Sequence, residues 1–171
     1  YQFNVPMNVD YELKGIKRDD WLNGVNTLDL VHIQRHILSI AKFDSPYKYI
    51  AADVNKDGKV TATDLVNLRK LILGLTTELP NNNSWIFLDS KTGMTPDNPW
   101  PIDEVINVSA IDHDMMDEDF VGVKVGDVNG NALSNIDNEI PAENRSRGKS
   151  FIIDDKNVNK GERISVAFTS N

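Results

Sequence analysis

The sequence predicts an α+β fold: a pair of loop–helix repeats, a small β appendage built from both flanks, then the first strands of a β-sandwich. Three observations predict it. Residues 25–40, VNTLDLVHIQRHILSI, align with residues 60–75, VTATDLVNLRKLILGL, at a constant offset of 35 (Asp29 to Asp64, Leu38 to Leu73). Residues 53–64, DVNKDGKVTATD, carry oxygen-bearing side chains at alternate positions around a glycine. The flanks carry β-branched and aromatic alternation, as in SWIFLD (84–89), DEVINVSAI (103–111) and DFVGVKVGDV (119–128).

The repeat is helical because its apolar residues recur in steps of three and four. Leu30, Ile33, Ile37 and Ile40 match Leu65, Leu68, Ile72 and Leu75, so each copy draws one apolar stripe. Two such helices are expected to pack stripe to stripe about an approximate two-fold. Thr27 and Thr61 read as N-caps and Gly74 as the residue just past the helix end. Between the helices, Ser45 and Pro46 read as the cap and first residue of a short connecting helix.

The loop at 53–64 reads as a calcium site. Calcium takes six to eight hard oxygens at roughly 2.3–2.6 Å, and a twelve-residue loop supplies them from positions 1, 3, 5, 7, 9 and 12, with glycine at 6. Here those positions are Asp53, Asn55, Asp57, Lys59 (through its carbonyl), Thr61 and Asp64, with Gly58 at the turn. Alternation matters because the chain wraps the ion and every second side chain faces inward. Magnesium, which keeps its waters in a strict octahedron, fits less well. The plain alternative is a polar Asx/Gly turn before a helix.

The first repeat lacks such a loop. Counting back from Asp29 as position 12 puts Arg18, Asp20 and Leu22 at positions 1, 3 and 5, and arginine and leucine do not ligate calcium. Downstream, DVNGN places Asp127, Asn129 and Asn131 in the 1-3-5 pattern but has no ending of its own. Three readings stay open. The first loop is a metal-free turn at Asn23-Gly24; or Asp127, Asn129 and Asn131 meet Asn26 and Asp29 in space around a second calcium; or the downstream loop binds an ion separately. The second reading requires the strand at 120–125 to lie beside the helix pair.

DVNKDGKVTATDLVNLRKLIL resembles the second calcium repeat of a type I dockerin, which closes position 12 with Asp, as Asp64 does here. The resemblance is specific for 53–75 and weaker for 25–40. It implies a calcium cofactor, a cohesin-like or Ig-like partner domain in the same or another chain, and an extracellular or cell-surface setting. It also implies that loop positions 10 and 11 and the pair at 17 and 18 face the partner. These are Ala62, Thr63, Arg69 and Lys70 in one repeat, and Thr27, Leu28, Gln34 and Arg35 in the other. The family's usual Ser-Thr pair is absent, so the partner's identity does not carry over.

The remaining features bound the function. Residues 1–136 read as the calcium module with its β flanks, 137–148 as a polar linker, and 149–171 as the first strands of an incomplete cohesin-like or Ig-like sandwich with partner strands elsewhere. The chain reads as an excerpt of a longer, modular secreted protein. With 26 acidic against 18 basic residues the net charge is −8, which argues against nucleic acid as partner. No apolar run approaches a membrane span. The absence of cysteine excludes disulfides and thiol nucleophiles. His32 and His36 stand four apart, a zinc-like spacing without a third ligand. DHDMMDED (112–119) reads as a solvated acidic turn. Trp21, Trp85 and Trp100 read as packing residues in preference to a sugar platform. Nothing points to catalysis, and the expectation is a non-catalytic interaction or linker module. A rigid spacer of an adhesin or fibre, or an ancillary module of a polysaccharide-degrading enzyme, are the alternatives.

Overall fold

The computed structural model describes residues 3–134, 156–157 and 166–167. In chain order its elements are β1 (Phe3–Asn4), β2 (Tyr11–Leu13), β3 (Gly15–Ile16), α1 (Thr27–Ile37), α2 (Pro46–Ala52), α3 (Ala62–Ile72), β4 (Trp85–Asp89), β5 (Ile106–Val108), β6 (Phe120–Lys124), β7 (Lys156–Asn157) and β8 (Val166–Ala167). The architecture is α+β, with α1 packed on α3 and small β pairs around them.

The two helices are built alike. Asn26 caps α1 from an extended backbone, its Oδ1 accepting from Leu28 N at 2.8 Å, while Asp29 Oδ2 accepts from Asn26 N at 2.9 Å. Thr61 and Asp64 form the same reciprocal box on α3, which satisfies amide groups that a helix start leaves bare. The cap of α1 is therefore Asn26. Thr27, expected there, is the first helical residue, because only the extended residue before the helix can turn its side chain back onto the first turn. Both helices also end alike. Ser39 and Gly74 take left-handed backbones (φ 57° and 68°), and Ile40 N and Leu75 N donate back to the Arg35 and Lys70 carbonyls at 2.9 Å.

This reversal removes Ile40 and Leu75 from the apolar stripe. They lie past the helix ends and are exposed. Ile33 and Leu68 hold the centre of the stripe, with Leu30, Ile37, Leu65 and Ile72 partly buried around them. The core continues through Ile50 of α2, Val54, Leu88 of β4 and Val125 after β6, all fully buried or nearly so. Each such aliphatic side chain contributes roughly 1.5–3 kcal/mol by leaving water. Pro46 opens α2 as expected, but Ser45 makes no side-chain cap bond.

The appendage is an antiparallel pair, β4 with β6, registered Trp85↔Lys124 through Asp89↔Phe120. β2 pairs antiparallel with β5 (Tyr11↔Val108), and a Lys17↔Trp85 bridge joins the N-terminal segment to β4. Trp85 is buried, Trp21 packs against the core and Trp100 meets Tyr49 edge-on at 6.2 Å, so all three pack as expected. The expected linker at 137–148 lies outside the described residues, as does most of 149–171. β7 and β8 pair in parallel with β1 and β3 of the same chain, whereas their partners were expected elsewhere.

Candidate metal centre

Residues 53–64 close into a ring held by the chain's own amides. Asp53 Oδ1 accepts from Asp57 N at 3.0 Å and its Oδ2 from Gly58 N at 2.8 Å. Asn55 Oδ1 accepts from Asp57 N at 3.1 Å, and Asn55 Nδ2 donates to Asp57 Oδ2. Asp57 Oδ1 accepts from Lys59 N. At the far side Asp64 Oδ1 accepts from Val54 N at 2.9 Å and Asn55 N at 3.2 Å, while its Oδ2 takes the Thr61 N–H. Asp64 thus starts α3 and ties the loop's opening to it. Gly58 has φ 78°, where L side chains are strained. Lys56 holds φ 59° two residues earlier.

The electrostatics favour a cation. Asp53 and Asp64 are buried. Burial pushes the Asp53 carboxyl above its ordinary range, and the nearby Asp64 and Asp57 charges push it further, against the Gly58 and Asp57 amide bonds. Among the described residues, no lysine or arginine forms an ion pair with Asp53, Asp57 or Asp64. The donor set of carboxylate, amide, hydroxyl and carbonyl oxygens suits calcium. Among the described residues no three His, Cys, Asp or Glu side chains converge into a cage of their own; a ring of this kind draws on neutral oxygens as well.

The structure also brings Asp127, Asn129 and Asn131 to the start of α1. Asp29 Oδ1 accepts from Val128 N at 3.0 Å and Asn129 N at 3.1 Å. Asp127 Oδ1 accepts from Asn131 N at 3.1 Å and from Gly130 N, and its Oδ2 from Ala132 N at 2.8 Å. Asn129 Oδ1 accepts from Asn131 N at 3.1 Å. Gly130 holds φ 64°, the counterpart of Lys56. Burial, with the Asp127 charge, pushes the Asp29 carboxyl up against three amide bonds. Arg18 and Leu22, which counting back would place in the loop, lie elsewhere: Arg18 Nε donates to Asn83 Oδ1 at 2.7 Å and Leu22 is exposed.

Two residues that pattern reading passes over hold these rings in place. Asn82 is buried and its Nδ2 donates to the Asp53 and Val54 carbonyls at 3.1 and 3.2 Å. Lys124 is buried, with Nζ donating to the Trp21 and Val125 carbonyls at 3.0 Å. Desolvation lowers its pKa to about 8, although Asp127, Asp20 and Asp29 oppose the shift. The triplet at 81–83 and a lysine in an apolar strand were the available signals.

The positions that the resemblance would turn toward a partner are all exposed: Thr27, Leu28, Gln34 and Arg35 on α1, Ala62, Thr63, Arg69 and Lys70 on α3. Exposed apolar residues lie among them, Leu28, Val31 and Leu38 on one helix, Val66 and Leu73 on the other. His36 is buried and stacked on Phe43 at 4.1 Å, with Nδ1 accepting from Phe43 N at 3.0 Å. A ring nitrogen so engaged is a core contact. Within 112–119, Asp112 pairs with His113, both well exposed.

Residues 23–73 match the family model of the dockerin type I domain. Domains of that family are non-catalytic, calcium-binding, cohesin-interacting modules of modular bacterial proteins. No curated protein and no solved structure matches the chain. No helix among the described residues is long and apolar enough to cross a membrane.

Proposed function

We propose that this chain is a calcium-stabilised, non-catalytic interaction module of a secreted or surface-displayed multidomain bacterial protein, and that its helix faces engage a cohesin-type domain. The observation that carries the reading is the ring at 53–64. Asp53, Asn55, Asp57, the Lys59 carbonyl, Thr61 and Asp64 would hold calcium, and the ring lies inside the segment that matches the dockerin type I model. The ion supplies the positive charge that buried like-charged carboxylates lack, and metal binding then becomes folding free energy. Millimolar extracellular calcium suits such a loop.

The contact surface follows from the same helices. Arg69 and Lys70, with Gln34 and Arg35 at the repeat-related positions, project basic and polar groups from faces that also expose Val66, Leu73, Val31 and Leu38. Apolar area ringed by charge suits a protein partner. A second reading, a rigid spacer within an adhesin or fibre, is favoured by the clamping of the segments that precede α1 and α3 to their flanks through Lys124, Asn82 and Asn23. An ancillary module of a polysaccharide-degrading enzyme rests on the dockerin resemblance alone.

Chelation and binding test the proposal together. At calcium about a hundredfold above Kd, linkage contributes about 2.7 kcal/mol, or roughly 5–10 °C in melting temperature for a chain of this size. EDTA is expected to remove that increment and Asp57→Ala to reproduce the loss. A type I cohesin domain should bind in calcium, not in EDTA, and more weakly to an Arg69→Ala/Lys70→Ala variant. A melting curve indifferent to EDTA contradicts the calcium reading. Calcium-dependent melting without cohesin binding favours the spacer.

A further inference from the structure

We propose that Asp127, Asn129 and Asn131 together with Asn26 and Asp29 form a second, split calcium site, a loop whose two halves come from segments about one hundred residues apart. The inference rests on the calcium reading of the ring at 53–64, because it is argued from congruence with that ring.

The congruence covers both carboxylates and the asparagine between them. Asp29 Oδ1 takes two amides of the downstream segment, Val128 and Asn129, as Asp64 Oδ1 takes Val54 and Asn55. Asp127 grips the amides four and five residues on, Asn131 and Ala132, as Asp53 grips Asp57 and Gly58. Asn129 repeats Asn55 on the amide two residues on. Asn26 stands where Thr61 stands. By the same count from Asp29, Gly24 takes the place of Lys59, whose carbonyl is the position-7 donor.

Where the contiguous loop has a peptide bond, the split loop has a suture. Asn23 Nδ2 donates to the Leu133 carbonyl at 2.7 Å and Asn23 Oδ1 accepts from Leu133 N at 2.9 Å. Gly24, with φ 73°, lets the two backbones approach: a β-carbon there would lie 2.5 Å from Ala132 Cα. The strand side is fixed by Gly126 N, which donates to the Ala51 carbonyl at 2.8 Å. An ion here would fasten the β4–β6 pair to α1, and the calcium-responsive unit would extend well beyond 23–73.

A separate observation concerns the amide of Asn129. Its Nδ2 is buried and has no hydrogen-bond partner among the described residues, while its Oδ1 accepts from Asn131 N. The ring holds two carboxylates, Asp29 and Asp127, where the contiguous loop has three. Lys124 lies near enough to feel both. Ligand charge tunes calcium affinity, so this is the weaker site.

Calcium titration of the full chain by calorimetry, with ion counting by native mass spectrometry, tests the proposal. Wild type is expected to bind two ions with unequal affinity. Asp127→Asn, which keeps one of the two acceptor oxygens and removes the charge, is expected to lose the weaker ion and retain the tighter one. Asn131→Asp restores the charge found at Asp57 and is expected to tighten the weaker site by about tenfold. One ion in wild type, abolished by Asp57→Ala and untouched by Asp127→Asn and Asn131→Asp, overturns the split site while leaving the 53–64 reading intact. Two ions insensitive to Asp127→Asn and Asn131→Asp also overturn it, by placing the second elsewhere. No bound ion overturns both.

Discussion

The ring at 53–64 and the ring assembled from 127–132 and 24–29 have nearly the same hydrogen bonds and opposite chain histories. In the first, Asp64 reaches back ten residues to the Val54 amide; in the second, Asp29 reaches across 99 to Val128. What the two share is a capping-box carboxylate at the start of a helix, with one oxygen on its own cap and the other on the incoming loop. What differs is how the ring is closed. The contiguous ring is closed by the chain itself, and Gly58 sits in open space. The split ring is closed by the Asn23 side chain on Leu133 and by the absence of a side chain at Gly24. Once a capped helix presents the closing carboxylate, the opening half of the loop need not be its neighbour in sequence. The difference then moves into loop closure: the long-range ring organises the whole appendage.

Glycine substitutions sharpen that contrast most. Gly58→Ala meets only backbone strain at φ 78°, about 1–2 kcal/mol. Gly24→Ala meets comparable strain and a backbone overlap as well, so roughly 3 kcal/mol or more is expected. Denaturant unfolding of both variants at fixed calcium checks the order. Equal costs would mean that the suture is not a tight junction.

A smaller effect separates the helices themselves. His36 occupies in α1 the place Leu71 holds in α3. Burial, with the Lys42 charge, holds its imidazole below the ordinary value of 6.5. The unfolded chain then binds the proton more readily, so stability is present above pH 6.5 and falls as pH drops from there toward the depressed value. His36→Leu is expected to flatten that part of the melting-temperature profile between pH 7 and 5, with little change above it. A profile of the same slope in the variant would assign the effect to other groups.

Much of this arrangement is legible in the sequence because it is periodic. The offset between repeats, the alternating oxygens of 53–64 and the strands at 85–89 and 120–124 are local patterns, and local patterns survive in one dimension. The meeting of 127–131 with 26–29 is legible only by subtraction, one half-loop lacking its end and the other its beginning. Thr27 misleads because threonine is a good cap wherever it stands, and the backbone decides for Asn26. Ile40 and Leu75 mislead because their apolar spacing runs past a left-handed residue that turns the chain outward. Asn82, Lys124 and Asn23 act through long-range bonds to backbone atoms, which leave no periodic trace.

The most direct measurement is an anomalous difference map from crystals of calcium-replete protein, with data collected at a wavelength where calcium scatters anomalously. The account predicts one strong peak inside the oxygens of Asp53, Asn55, Asp57, Thr61 and Asp64, and a second, weaker peak between Asp127 and Asp29. A map with no peak inside the 53–64 ring would contradict it.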